Sequence, residues 1–223
     1  MRVRCFGHSA FLLSANAGSV MIDPFDGPLA RERGTQWDYP DIEGVEPDLL
    51  LITHEHFDHS NQDAIGGDPQ VIRSTAGSFE TPLGDVLAIA SEHDPSAGTE
   101  RGPNAIFSFE LDGMRVCHLG DLGQSALRDE QIAAIGKPDV LMVPVGGHFT
   151  IDAEAAAEVV RVLDPAIVVP MHYGSPAVGL PLAPVDDFLA LMEGQELRRE
   201  DAAEFDLARP AEGTTTVVVP AAP

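Results

Sequence analysis

Four metal-binding side chains fall within six residues: His54, His56, Asp58 and His59, in the run Thr53-His54-Glu55-His56-Phe57-Asp58-His59. On extended backbone, residues two apart point to the same side, so the His54 and His56 imidazoles share one target. Asp58 and His59 follow a change of chain direction and can aim at a second point nearby. Neutral imidazole nitrogen and carboxylate oxygen suit zinc, and also iron or manganese. The zincin pattern HExxH is excluded, because the residue four after His54 is Asp58.

The elements around this run are those needed to hold it. Asp48-Leu49-Leu50-Leu51-Ile52-Thr53 is a continuous apolar run, too short for a helix and typical of a strand covered on both faces. The histidine run therefore sits at the carboxyl end of a central strand, where α/β folds gather ligands. Further strands are predicted at 3–6, 10–14, 19–23, 70–73, 86–91, 105–111, 114–119, 140–145, 167–171 and 214–219. Asp112-Gly113 is a strong two-residue hairpin turn. Helices are predicted at 125–135, 153–163 and 185–192, the second with Asp152 as N-cap and Pro165 beyond its end. The stretch 26–47, rich in Gly, Pro and charge, reads as a surface loop with at most a short helix. With strands first and β–helix–β order later, two packed sheets with helices outside are expected, in one domain over residues 1–223.

His54-x-His56-x-Asp58-His59 after an apolar strand resembles the signature of the metallo-β-lactamase superfamily. Later strand ends carry matching pieces: Glu92-His93-Asp94, Leu119-Gly120-Asp121 and Pro170-Met171-His172-Tyr173-Gly174. Gly7-His8-Ser9, Ile22-Asp23-Pro24 and the run from Pro144 to Thr150 are similar to a branch of small metal-dependent hydrolases that includes ascorbate-phosphate lactonase-like proteins. The resemblance implies an α+β fold, the four-layer αβ/βα sandwich. It also implies a dinuclear zinc site, with manganese or iron as substitutes. His54, His56 and His93 would hold one ion, Asp58, His59 and His172 the other, and Asp121 would bridge. A hydroxide shared by the ions would cleave a small ester, lactone or phosphoester, with Asp58 orienting it. Alternatives on the same scaffold are a non-catalytic metal sensor and a nuclease.

Each later residue also has a plainer role open to it: His93 as an exposed loop residue, Asp121 as a cap for the helix near Ser125, His172 as a core histidine. His8 is expected behind the ligands or lining the pocket, and His118 packed or hydrogen-bonded behind them. His148, after two glycines, is assigned to substrate contact or to a developing oxyanion. Asp23 is expected to tie down the histidine run without binding metal.

Composition narrows the partners. The 223 residues carry 36 acidic against 13 basic side chains, a net charge of −23, which disfavours nucleic-acid backbones. No apolar run is long enough for a membrane span, and the first residues lack a signal-peptide pattern. A cytoplasmic enzyme acting on a small molecule is expected, with homo-oligomerisation open. Cys5 and Cys117 are expected as buried free thiols.

Overall fold

The computed structural model describes residues 1–209 and 213–223. Its strands are β1 (Arg2–Gly7), β2 (Ala10–Ala15), β3 (Gly18–Ile22), β4 (Leu49–Ile52), β5 (Gln70–Arg73), β6 (Gly77–Thr81), β7 (Gly84–Glu92), β8 (Pro103–Leu111), β9 (Met114–His118), β10 (Val140–Pro144), β11 (Ile167–Met171), β12 (Glu196–Arg199), β13 (Glu204–Asp206) and β14 (Thr216–Val219). Its α-helices are α1 (Gly27–Glu32), α2 (Asp129–Ile135), α3 (Ala153–Leu163) and α4 (Val185–Leu191).

Two mixed sheets result, ordered β13-β1-β2-β3-β4-β5 and β12-β14-β11-β10-β9-β8-β7-β6. Period-two alternation decides which side chains fill which layer. From β4, Leu49 and Leu51 enter the core between the sheets, while Leu50 and Ile52 face the opposite way. From β10, Val140 and Met142 face the central core, and Leu141 and Val143 meet the helical layer formed by α2, α3 and α4. Strands buried on both faces thus read as unbroken apolar runs, and the expected αβ/βα sandwich is present.

Local chemistry sets the boundaries. Asp112 and Gly113 both take positive φ, 55° and 70°, the left-handed pair that a tight hairpin needs. Asp152 caps α3 by accepting from the Ala155 amide at 2.9 Å. Helix α2 starts at Asp129, four residues later than the sequence suggests. The Gln131 side chain accepts from the Arg128 amide at 2.8 Å and is paired with Gln124, which fixes the preceding residues in a non-helical turn.

The stretch 26–47 corrects the sequence expectation. Beyond α1, its irregular chain buries Trp37, Tyr39, Ile42 and Val45 against the outer face of the six-stranded sheet. It is the fourth layer of the sandwich, built without regular periodicity. Both cysteines are buried free thiols, as expected; burial pushes Cys5 up to about 12 and Cys117 higher still. No helix among the described residues is long and apolar enough to cross a membrane.

Candidate metal centre

Six strand ends and turns converge at one edge of the sandwich: those after β1, β3, β4, β7, β9 and β11. They bring His8, Asp23, the histidine run, His93, Asp121 and His172 together, all of them buried but the exposed Glu55 and His56 and the half-buried Phe57 and Asp58. Among the described residues, side chains with ligand atoms within 4.8 Å of one another form the groups His54, His56, His93, then His8, Asp58, His59, His172, and Asp23, His54, His59.

Asp121 is the hub. Its Oδ2 lies 3.2 Å from His93 Nε2, 3.2 Å from His172 Nε2 and 3.8 Å from His54 Nε2, and its Oδ1 lies 3.3 Å from His59 Nε2. Donors bound tetrahedrally to an ion at about 2.0–2.1 Å stand roughly 3.3 Å apart. The spacing is that of a cradle around an ion, with Asp121 between the two halves.

Hydrogen bonds behind the cradle fix its tautomers. The Thr53 hydroxyl donates to Asp23 Oδ2 at 2.7 Å, which commits its only proton. Its contact with His54 Nδ1 at 2.9 Å must then be donated by the ring, leaving His54 Nε2 with a bare lone pair. His59 Nδ1 lies 2.9 Å from Asp23 Oδ2 and donates to it, so His59 Nε2 also faces the centre. His54 Nε2, His59 Nε2 and Asp121 Oδ1 are all buried without a hydrogen-bond partner. Buried polar atoms left unsatisfied cost stability unless a ligand takes them. The donor set fits a divalent cation.

Charge within the cluster follows the same geometry. Burial opposes the charged form of Asp121, yet the imidazoles of His172 and His59 outweigh it and hold the carboxyl well below the usual range. Burial lowers His59 too, but Asp121 and Asp23 overcome this and raise it well above an ordinary histidine. His54, with burial and His59 acting in the same sense, is held well below that range and stays neutral. Burial, then His172, lowers His8 to about 4.

The remaining predicted residues separate cleanly. His118 Nδ1 accepts from the Gly120 amide at 3.1 Å, so Nε2 carries the proton toward the Ser9 carbonyl at 3.2 Å. Both nitrogens are spent, and His118 steadies the Gly120-Asp121 turn from behind. His148 is exposed and packs edge-on against Phe149, with ring centroids 4.4 Å apart, and belongs to none of the metal-binding groups. Asp121 caps no helix: α2 starts eight residues further on.

Two residues that sequence reasoning passed over matter here. Thr53 sets the His54 tautomer. Asn104, buried at the start of β8, accepts from the Asp121 amide at 3.0 Å and donates to the Leu119 carbonyl and Ser91 hydroxyl. Gly120 allows this, since a Cβ there would stand 2.3 Å from Asn104 Oδ1. Their only sequence signal is position, one residue before the histidine run and beside the strand that carries His93. Thr53→Val keeps shape but removes the proton acceptor for His54; metal affinity is expected to fall roughly tenfold, at the low end for such outer partners. Competitive titration against a chelating indicator checks it, and an unchanged affinity would show that Thr53 sets nothing.

Beside His56 lies a cleft of about 630 Å³, walled by Asp26, Arg33, Phe57, Asn61 and Arg73. Arg73 is engaged by Glu55. The Arg33 guanidinium lies over the Phe57 ring at 4.9 Å, and among the described residues it has no carboxylate partner.

A two-sheet sandwich with a histidine and aspartate cradle at its edge is the architecture of the metallo-β-lactamase class. Residues 2–172 match the β-lactamase superfamily domain. A UPF0173 metal-dependent hydrolase of Methylobacterium nodulans is 34% identical over 233 residues, covering 89% of this chain and 94% of that protein. A relative of the same description from Thermoplasma acidophilum is 30% identical, covering 78% of this chain and 84% of its own length. The crystal structure of a proposed Zn-dependent hydrolase of the superfamily from Thermotoga maritima superposes with a TM-score of 0.76 at 31% identity, over 99% of both chains. The chain belongs to the metallo-β-lactamase superfamily, among its metal-dependent hydrolases.

Proposed function

We propose that the chain hydrolyses a small ester, lactone or phosphoester at a pair of zinc ions, with manganese or iron as substitutes. His54, His56 and His93 would hold one ion, Asp58, His59 and His172 the other, and Asp121 both. The observation that carries this is the ring of four imidazole Nε2 atoms within 3.8 Å of Asp121, with Nδ1 of His54 and of His59 hydrogen-bonded behind the ring so that Nε2 is the atom left for an ion. Such ions, when bound, acidify a water and polarise the substrate oxygen.

The chain's own groups divide the remaining work. Asp58, half-buried with 14% of its side chain exposed, is reachable from the opening and would orient the attacking water. The cleft beside His56 has the size of a small-molecule site. Arg33 there offers a charge free to meet an acidic substituent. His148, exposed on the loop after β10, is proposed to meet the substrate. The net charge of −23 argues for a small substrate over a nucleic acid, and the proposed setting is the cytoplasm.

Chelation tests the proposal. Stripping the chain with a chelator should abolish turnover across an ester, lactone and phosphoester panel, and zinc should restore it at two ions per chain. Undiminished turnover by protein shown to be metal-free would refute it.

A further inference from the structure

His8 is a buried imidazole outside the proposed ligand set whose ring nitrogens, unlike those of His118, are not spent on backbone groups. Its side chain is fully buried, and neither ring nitrogen completes a hydrogen bond among the described residues. It sits at φ 55°, in the left-handed region that side chains other than glycine seldom adopt. Its carbonyl accepts from the His172 amide at 3.1 Å, and the two rings lie 4.1 Å apart between centroids. Burial, backbone strain and a tie to a proposed ligand all meet in one residue, a combination that marks functional sites.

The partner on offer is Asp58. His8 Nε2 stands 3.2 Å from Asp58 Oδ2, within hydrogen-bond reach though off line. In this half His59 is held from behind by Asp23 and the Asp121 backbone by Asn104, while His172 Nδ1 has no partner among the described residues and its backbone is tied to His8. Asp58 makes no hydrogen bond with any other described side chain. His54, His59, His93 and His172 each come within 4 Å of Asp121, whereas His8 reaches only Asp58. Asp58, His59, His172 and Asp121 already supply four donors, and the attacking water would be a fifth, so the second ion needs no further imidazole.

We propose that His8 is a positioning residue, which donates from Nε2 to one oxygen of Asp58 and so presents the carboxylate to the second ion. This rests on the two-ion proposal above. The carboxylate is then held as His59 is held by Asp23, with donor and acceptor exchanged.

The test reads metal uptake instead of turnover. The unsubstituted chain is first titrated with Co(II), following visible absorption and competition with a chelating indicator. It should take two ions; uptake of only one overturns the two-ion proposal and this inference with it. His8→Gly removes the ring at a backbone angle that glycine adopts freely. Its first ion should bind unchanged and its second about 10–100-fold more weakly. His8→Gln restores an N–H donor at similar reach and should recover most of the second-ion affinity. If both ions weaken equally in His8→Gly, or neither does, His8 does not position Asp58. Failure of His8→Gln to recover binding, with an altered Co(II) band, would make the ring a ligand and overturn the positioning role. Circular dichroism of each metal-free variant shows that the fold persists.

Discussion

Asp121→Asn is expected to lower kcat/KM at least a thousandfold, roughly 4 kcal/mol of transition-state stabilisation, and to reduce bound metal below two ions per chain. The amide has the shape of the carboxylate but not its charge. Asp121 faces His54, His59, His93 and His172 at 3.2–3.8 Å, and among the described residues no other carboxylate meets histidines of both proposed ions in this way. Two cations held close together need a shared negative charge to offset their repulsion, and a neutral carbonyl supplies little of it. The backbone should not move, because Asn104 still accepts from the residue-121 amide and Gly120 is untouched. Steady-state kinetics with metal in excess, together with metal analysis of desalted protein, reads both effects. Residual activity within tenfold of the parent at full metal occupancy would remove Asp121 from the bridging position.

What the sequence discloses depends on whether a feature is local or assembled. The central strands were legible because burial on both faces leaves uninterrupted apolar runs, as at Leu49–Ile52 and Ile167–Met171. Three of the four edge strands were not: β6 reads Gly-Ser-Phe-Glu-Thr, β12 Glu-Leu-Arg-Arg and β13 Glu-Phe-Asp, with at most one core side chain each, while β5 at the fourth edge showed through its Val71-Ile72 pair. The 26–47 stretch hid its role because an irregular chain buries single side chains, Trp37 and Tyr39 among them, without a period to detect. At the centre, donor types at strand ends were readable from composition and position. The tautomers were not, since Thr53 acts on His54 only through a proton already promised to Asp23, thirty positions earlier in the chain. His8 stood open between two roles for the same reason. Its meaning lies in the distance to Asp58, fifty residues away.

Asp23 gives the clearest separation of folding from metal binding. It is fully buried at φ 48° and receives three hydrogen bonds, from the Thr53 amide at 2.8 Å, the Thr53 hydroxyl at 2.7 Å and His59 Nδ1 at 2.9 Å. Asp23→Ala strands all three donors in the interior and is expected to destabilise the fold by about 3–5 kcal/mol, the cost of breaking a buried charged network. For a chain of this length, that lowers the melting temperature by roughly 10 °C. Asp23→Asn should behave differently. Its carbonyl oxygen can still accept from the Thr53 amide, but its NH2 then confronts the Thr53 hydroxyl and the His59 Nδ1 proton, donor against donor. The least costly relief is for His59 to shift its proton to Nε2, the atom that faces Asp121. Asp23→Asn should therefore melt closer to the parent than Asp23→Ala does, yet bind metal 10–100-fold more weakly. Thermal melts of the metal-free proteins and competitive zinc titration read the two effects independently. Parent-like zinc affinity in Asp23→Asn would mean that the aspartate supports the fold alone and leaves the His59 tautomer to other contacts.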